Sequence, residues 1–331
     1  MSNLLVSVII DNCNYARYLR QAIDSALAQT YSNFELIVVD DGSTDESRQI
    51  IRDYGDRITP LLKDNGGQGS AFNAGFALSR GELVCFLDSD DMWLPEKLAE
   101  TVELAQRHPE AQVVFHRFRK IDAQGLPLHE RARPREIVCG DLRARAQRSG
   151  GCWPHPPTSA LCFRRSFLER VMPAPEETLR SCADLYLATL APFLGNVVGM
   201  RKPLTLYRVH GANAWLSSRR DPHSDLRRHE VHIHTINTTL ARLGIDDRVR
   251  LQDQLHYRLL RYHLGEGDSF VQLIWHTLRW RGESPPVRLK MLFKNLRMQR
   301  HKSLPYQANV RSNRRAHQLL AENRAVDRSG F

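Results

Sequence analysis

The sequence predicts an α/β protein, a βα-repeating sheet with helices on its faces, followed by a mostly helical, basic extension. Three observations carry this. Short β-rich runs alternate with helical periodicity through the first 118 residues. Loops rich in Asp, Ser and Gly stand where strand gives way to helix. From 216 onward the pattern turns helical and strongly basic.

Each element follows from its residues. "VSVII" (6–10) reads as a fully buried strand, and Leu19, Ala22, Ile23, Ala26 and Leu27 then recur at helical spacing, one apolar stripe. "FELIVVD" (34–40) is a second strand, and Ser43 with Glu46 has the spacing of a capping box opening the helix after it. "ITPLL" (58–62), "ELVCFL" (82–87) and "QVVFHRF" (112–118) supply three more strands. A glycine-rich turn, "NGGQG", enters the helix after the third, and Pro95 at a favoured first position opens the helix after the fourth. From 119 to about 215 the pattern is irregular, with a Pro-rich loop "GGCWPHPPTS", a short strand "ALCFRR", a helix near 184–193 and "PLTLYRVH".

In an open parallel sheet ligands bind beyond the carboxyl ends of the strands. Two acidic clusters stand at such ends: Asp40-Asp41, and Asp88-Ser89-Asp90-Asp91. Loops leaving one edge of the sheet would bring them to a common crevice, where a hard divalent cation offsets their repulsion. A metal-bridged diphosphate is the natural ligand. The alternative is that Asp and Ser merely end strands and cap helices. For the second cluster that reading is the weaker, because three carboxylates within four residues exceed what a cap requires.

The bulk properties narrow the class. No apolar run approaches the ~20 residues that span a bilayer, and no basic leader precedes the first strand, so export is not expected. Six scattered cysteines without C-x-x-C spacing read as reduced thiols rather than zinc ligands. "NGGQGSAFNAG" matches neither a G-x-G-x-x-G fingerprint nor a P-loop, which disfavours dehydrogenases and P-loop enzymes. Its backbone amides could approach a ligand, or simply make a turn. The net charge is +10, and from Arg281 to the end twelve Lys/Arg face three Asp/Glu.

At this point "VSVIIDNCNYARYLRQAIDSALAQTYSNFELIVVDDGSTDES" and "NGGQGSAFNAGFALSRGELVCFLDSDDMWLPEKL" are recognisable: over about residues 4–215 the chain resembles the inverting family 2 glycosyltransferases. The resemblance implies a GT-A (Rossmann-like) nucleotide-diphospho-sugar transferase fold with a mixed central sheet. It implies a transferase domain over 1–215, whose 1–118 half takes the nucleotide sugar and 119–215 half the acceptor, with 216–331 as extension. Asp40 is then expected at the nucleoside, Asp88 at the ribose, and Asp90 on Mn²⁺ or Mg²⁺; Asp11, Asp41 and Ser89 join the donor-binding candidates, with Asp91 behind them.

The family's usual P-T-Y-N is here Asp11-Asn12-Cys13-Asn14, which leaves the nucleobase open, with UDP the commonest donor nucleotide. The acceptor's general base is expected at Asp184, with Ala183 where the family's Glu stands; Ser181 and Asp184 could equally be a plain helix cap. Arg208 and His210, in "LYRVHGAN", are candidates for the diphosphate or merely solvated, and Trp153 and His155 for an acceptor platform or local packing. "QLIWHTLRW" lacks Q-x-x-R-W spacing and no spanning helix is present, so one transfer per encounter is expected.

In the tail, Leu289, Leu292, Phe293 and Leu296 share a helical face while Arg288, Lys290, Lys294 and Arg297 lie around it. This fits peripheral contact with an anionic membrane and a lipid-linked acceptor at the cytoplasmic side, or a core helix with a solvated basic face. No nucleic-acid module is present. Two other readings stay open. A sugar-phosphate nucleotidyltransferase would carry a Gly-rich basic loop after the first strand, which "DNCNYARYL" lacks. A catalytically silent relative would suit Ala183 and the altered base loop, but not the intact Asp88, Asp90 and Asp184.

Overall fold

The computed structural model describes residues 3–128, 136–211 and 221–301, with backbone alone for 294–301. The strands are β1 (Val6–Asn12), β2 (Phe34–Asp41), β3 (Thr59–Lys63), β4 (Leu83–Asp88), β5 (Met92–Trp93), β6 (Ala111–Ile121), β7 (Cys139–Gly140), β8 (Leu161–Arg164) and β9 (Asn196–Arg208). The α-helices are α1 (Ala16–Leu27), α2 (Ser47–Asp53), α3 (Gln68–Leu78), α4 (Lys97–Arg107), α5 (Arg143–Arg148), α6 (Arg165–Val171), α7 (Ala183–Leu194), α8 (Pro222–Arg242), α9 (Leu255–His263), α10 (Phe270–Arg279) and α11 (Pro285–His301).

The strands form one mixed sheet in the order β3-β2-β1-β4-β8-β6-β9-β5, with β7 added beside β9. β1, β2, β3 and β4 run parallel, while β8 is antiparallel to both β4 and β6. Alternating residues of one strand serve two cores, as a sheet covered on both faces requires. Val8 and Ile10 pack with Leu19, Ile23, Leu98 and Val102 of α1 and α4. Ile9 faces the other way, to Phe72 of α3, Phe167 of α6 and Tyr186 of α7. Gly75 of α3 lies so close to β1 that an added Cβ would stand 2.5 Å from Ile9 Cγ2.

Two local expectations fail for identifiable reasons. α2 begins at Ser47, whose N–H donates to Asp45 Oδ1 (3.0 Å), and the Ser43/Glu46 box does not form. Ser43 Oγ is instead taken by Asn12 Nδ2 (3.0 Å) and Asn14 N (2.9 Å), which tie the loop after β1 to the loop after β2. α4 opens at Lys97, not Pro95, whose carbonyl is held by Thr30 N.

Two compact units are present. The first comprises 1–257 with Trp280–Ser284, and so includes α8, which composition groups with the basic extension. Tyr186 Oη lies 3.1 Å from Thr239 Oγ1 and Thr189 Oγ1 lies 3.2 Å from His232 Nε2, fastening α8 to α7. Among the described residues the second unit comprises 258–279 and 285–301. In its described part Arg288 is buried and donates to the carbonyls of Thr277 and Leu278, which joins α11 to α10. Arg288 is therefore not part of a solvated face. Leu292 is buried as well, whereas Leu289 and Phe293 are exposed. The side chains of Lys294, Leu296 and Arg297 lie outside the described residues.

Candidate active site

The parallel register sets the site. Asp11 pairs with Asp88 across β1 and β4, and Asn12 with Asp40 across β1 and β2, so the acidic ends of three strands share one edge. Asp40 is fully buried: Arg48 Nε donates to its Oδ1 (2.8 Å), Asn12 Nδ2 to its Oδ2 (3.0 Å), and Ser43 N to its Oδ1 (3.1 Å).

Asp41 points elsewhere. Its Oδ1 accepts from Lys63 Nζ (2.7 Å) and Gly66 N (2.8 Å), and its Oδ2 from Gly67 N (2.7 Å). The glycine amides that sequence offers to a ligand are thus bound to a carboxylate of the neighbouring loop. Gln68 N and Gly69 N donate to the carbonyls of Arg180 and Leu179. "NGGQG" is a seat for another segment of the chain.

The turn after β4 carries the densest charge. Asp88, Asp90 and Asp91 each offer a carboxylate oxygen, all within 4.8 Å of one another. Asp90 Oδ2 lies 2.9 Å from His210 Nε2. Asp91 is buried and turned inward: Ser159 Oγ donates to its Oδ2 (2.6 Å) and Arg208 N to its Oδ1 (2.8 Å). Ser89 Oγ donates to the Asp11 carbonyl, linking this turn to β1.

Arg208 is not a free cation facing the cleft. It is fully buried, with Nε on the Asp90 carbonyl (2.7 Å), Nη2 on Gln21 Oε1 (2.7 Å), and its guanidinium 4.7 Å from the centre of the Tyr18 ring. Its planar fork holds the Asp90 turn by the main chain. A cation that does line a nearby cavity is Arg17: a pocket of about 450 Å³ is bordered by Asn14, Tyr15, Arg17, Tyr18 and His210.

Asp184 comes from the first turn of α7, after Cys182 in the left-handed conformation (φ 65°). Cys182 caps nothing with its side chain, and Ser181 is not the cap. The Ala183 N–H is instead satisfied by Gln68 Oε1 (3.0 Å).

Electrostatics show which acids share the cleft. Burial pushes the Asp11 carboxyl up to about 7, and the charges of Asp90 and Asp184 push the same way, while the Gln68 amide opposes. Asp11 Oδ1 is buried without a hydrogen-bond partner. Asp88 is raised well above the carboxylate range by burial, then by Asp11, Asp91, Asp90 and Asp184. Tyr15 and Tyr207 are raised as well, first by burial and then by these acids. Carboxylates from β1, the β4 turn and α7 therefore feel one another in a partly desolvated cleft. Such an oxygen-rich set with an unsatisfied buried oxygen fits a hard divalent cation.

Trp153 is buried in the core, with Nε1 on the Ala188 carbonyl (2.7 Å) and its ring against Phe115, so it is no open platform; the His155 ring lies 5.3 Å away, tilted at 57°. In "LYRVHGAN" the residues beyond Gly211 lie outside the described structure. Sequence reasoning missed Gln68, Ser159, Arg48, Tyr15 and Tyr207. Only Gln68 had a signal, its place inside the glycine run.

The comparisons with known proteins agree with this geometry. The glycosyl transferase family 2 model matches residues 7–171. An uncharacterised glycosyltransferase of Nostoc sp. is 40% identical over 266 residues, covering 78% of this chain and 82% of the relative. Among solved structures, S. aureus TarS 1–349 in complex with UDP-GlcNAc superposes with TM-score 0.56 at 20% identity, over 83% of this chain and 76% of that one. The mannosyltransferase PcManGT of Pyrobaculum calidifontis, in complex with GDP-Man and Mn²⁺, gives 0.50 at 18% identity, over 95% and 80%. These two likenesses establish the GT-A fold, and the Nostoc relative establishes descent: the chain belongs to glycosyl transferase family 2 and is a glycosyltransferase.

Proposed function

We propose that this enzyme transfers one sugar, with inversion, from a nucleoside-diphosphate donor, a UDP-sugar first among them, to a saccharide or lipid-linked saccharide in surface-polysaccharide synthesis. The observation that carries the reading is geometric: Asp11 and Asp88 are register partners, Asp88, Asp90 and Asp91 offer carboxylate oxygens within 4.8 Å of one another, and Gln68 ties the start of α7, with Asp184, to the start of α3.

On this reading Asp40, held by Arg48 and Asn12, would meet the nucleoside, and Asp88, the register partner of Asp11, the ribose. Asp90, backed by His210, would hold Mn²⁺ or Mg²⁺, which when bound supplies Lewis-acid stabilisation to the departing diphosphate. Asp184 takes the proton of the acceptor hydroxyl while that oxygen bonds to the anomeric carbon and the bond from that carbon to the diphosphate oxygen breaks. The nucleoside diphosphate leaves on the opposite face. The neighbours' bound UDP-GlcNAc, GDP-Man and Mn²⁺ support this donor class.

A lipid-linked acceptor is supported by the second unit. Val271, Trp275 and Leu278 of α10 and Leu289 and Phe293 of α11 are exposed, and Arg279 stacks 4.0 Å from the Trp275 ring centre. No helix among the described residues is long and apolar enough to cross a membrane. An apolar face bordered by Arg279 and Lys290, in a chain of net charge +10, complements an anionic bilayer at the cytoplasmic side.

The test is a panel of UDP-, GDP- and dTDP-sugars scored for thermal stabilisation and hydrolysis with and without Mn²⁺. Stabilisation by one nucleotide class with metal supports the reading, and no response to any sugar nucleotide overturns it.

A further inference from the structure

The segment 179–183, which delivers Asp184, is seated on the glycine run through five contacts. Gln68 N donates to Arg180 O (3.0 Å) and Gly69 N to Leu179 O (2.9 Å). Arg180 Nη2 donates to Asn65 Oδ1 (2.8 Å), Ala183 N to Gln68 Oε1 (3.0 Å), and Gly67, with φ +89°, rests against Arg180. A Cβ on Gly67 would stand 2.6 Å from Arg180 Cα and O, and one on Gly69 2.8 Å from Leu179 O. These glycines are required for close approach of two backbones.

The seat is itself anchored in the donor half, because Asp41 binds both Gly66 N and Gly67 N and is neutralised by Lys63. Gln68 is where the two halves meet. One end of its side chain satisfies the first amide of α7, an orphan donor that Cys182 leaves open.

We propose that Gln68 is a positioning residue for the transfer step: it fixes the start of α7 and thereby the carboxylate of Asp184 against the donor. This rests on the reading of Asp184 as base. Orientation of a reacting group is costly to lose, and a displacement of about 1 Å can lower a rate roughly 100-fold without touching binding.

The experiment is a cycle of Gln68→Met and Asp184→Asn, singly and together, with donor affinity measured beside kcat. Met keeps the volume and loses the acceptor. Gln68→Met is expected to lower kcat about 10- to 100-fold with donor Kd within about 2-fold of wild type. In the Asp184→Asn background it should have no further effect. Equal losses in both backgrounds, or loss of donor affinity in parallel with kcat, would overturn the positioning role. If Asp184→Asn alone leaves kcat intact, the base reading fails; Gln68→Met with wild-type kcat while Asp184→Asn is inactive would sink the present inference alone. Gly69→Ala supplies a second probe of the same seat and should show the same split.

Discussion

Asp11 and Asp88 are Cα partners in the parallel register of β1 and β4, so two carboxylates face one cleft from adjacent strands. Asp11 Oδ1 has no hydrogen-bond partner there, and burial drives that carboxyl up to about 7. An apo protein that holds such a pair carries a cost that a bound cation would relieve.

That cost has a pH signature. The folded-state pKa of Asp11 lies above the unfolded value of 3.8, so its contribution to stability is fully present below 3.8 and is lost as pH rises through about 7. In cation-free buffer Asp11→Asn should raise Tm at pH 8, with the gain shrinking toward pH 4. A gain that is the same at both pH values would show that the shift is not what Asn removes.

Arg208 gives a prediction of the opposite kind. Its guanidinium is fully buried, with Nε on the Asp90 carbonyl and Nη2 on Gln21, and the single nitrogen of a lysine cannot stand at both places. Arg208→Lys is expected to destabilise the fold by about 2–4 kcal/mol by leaving buried groups unpaired. Chemical denaturation checks this; unchanged stability with selectively weaker diphosphate binding would return Arg208 to the donor site.

The exposed face of α10 and α11 is tested by vesicle flotation. Full-length protein should float with vesicles containing about a third anionic lipid and stay behind with purely zwitterionic ones. Trp275→Ala with Phe293→Ala should weaken flotation, and about 0.5 M salt should weaken it too by screening. Binding that ignores both lipid charge and these substitutions would place the face against something else, a second copy of the chain included.

Much of this was legible beforehand, and the misses share a cause. Strands β1, β2 and β4 announce themselves because buried parallel strands read as unbroken apolar runs, and the register then forces Asp11 onto Asp88. What local patterns could not reveal was where polar side chains spend their hydrogen bonds. Ser43 looks like a cap and is a cross-loop tie; Asp41 looks like a ligand for the donor and clamps glycine amides; Arg208 looks solvated and is core. Each partner lies many residues away, beyond any window of local spacing. The sequence leaves Trp153 open between acceptor platform and local packing, since an aromatic in a Pro-rich loop gives no sign that Ala188 will take its N–H; packing is what the structure shows.

The division of labour between Asp90 and Asp184 is tested most directly by calorimetric titration of the donor nucleotide sugar, with and without Mn²⁺, into wild type, Asp90→Ala and Asp184→Asn. Asp90→Ala is expected to lose the metal-dependent part of donor affinity. Asp184→Asn should bind donor as wild type does while turnover falls by about 10²- to 10⁴-fold. Equal loss of donor binding in both variants, or wild-type binding that is indifferent to metal, would contradict it.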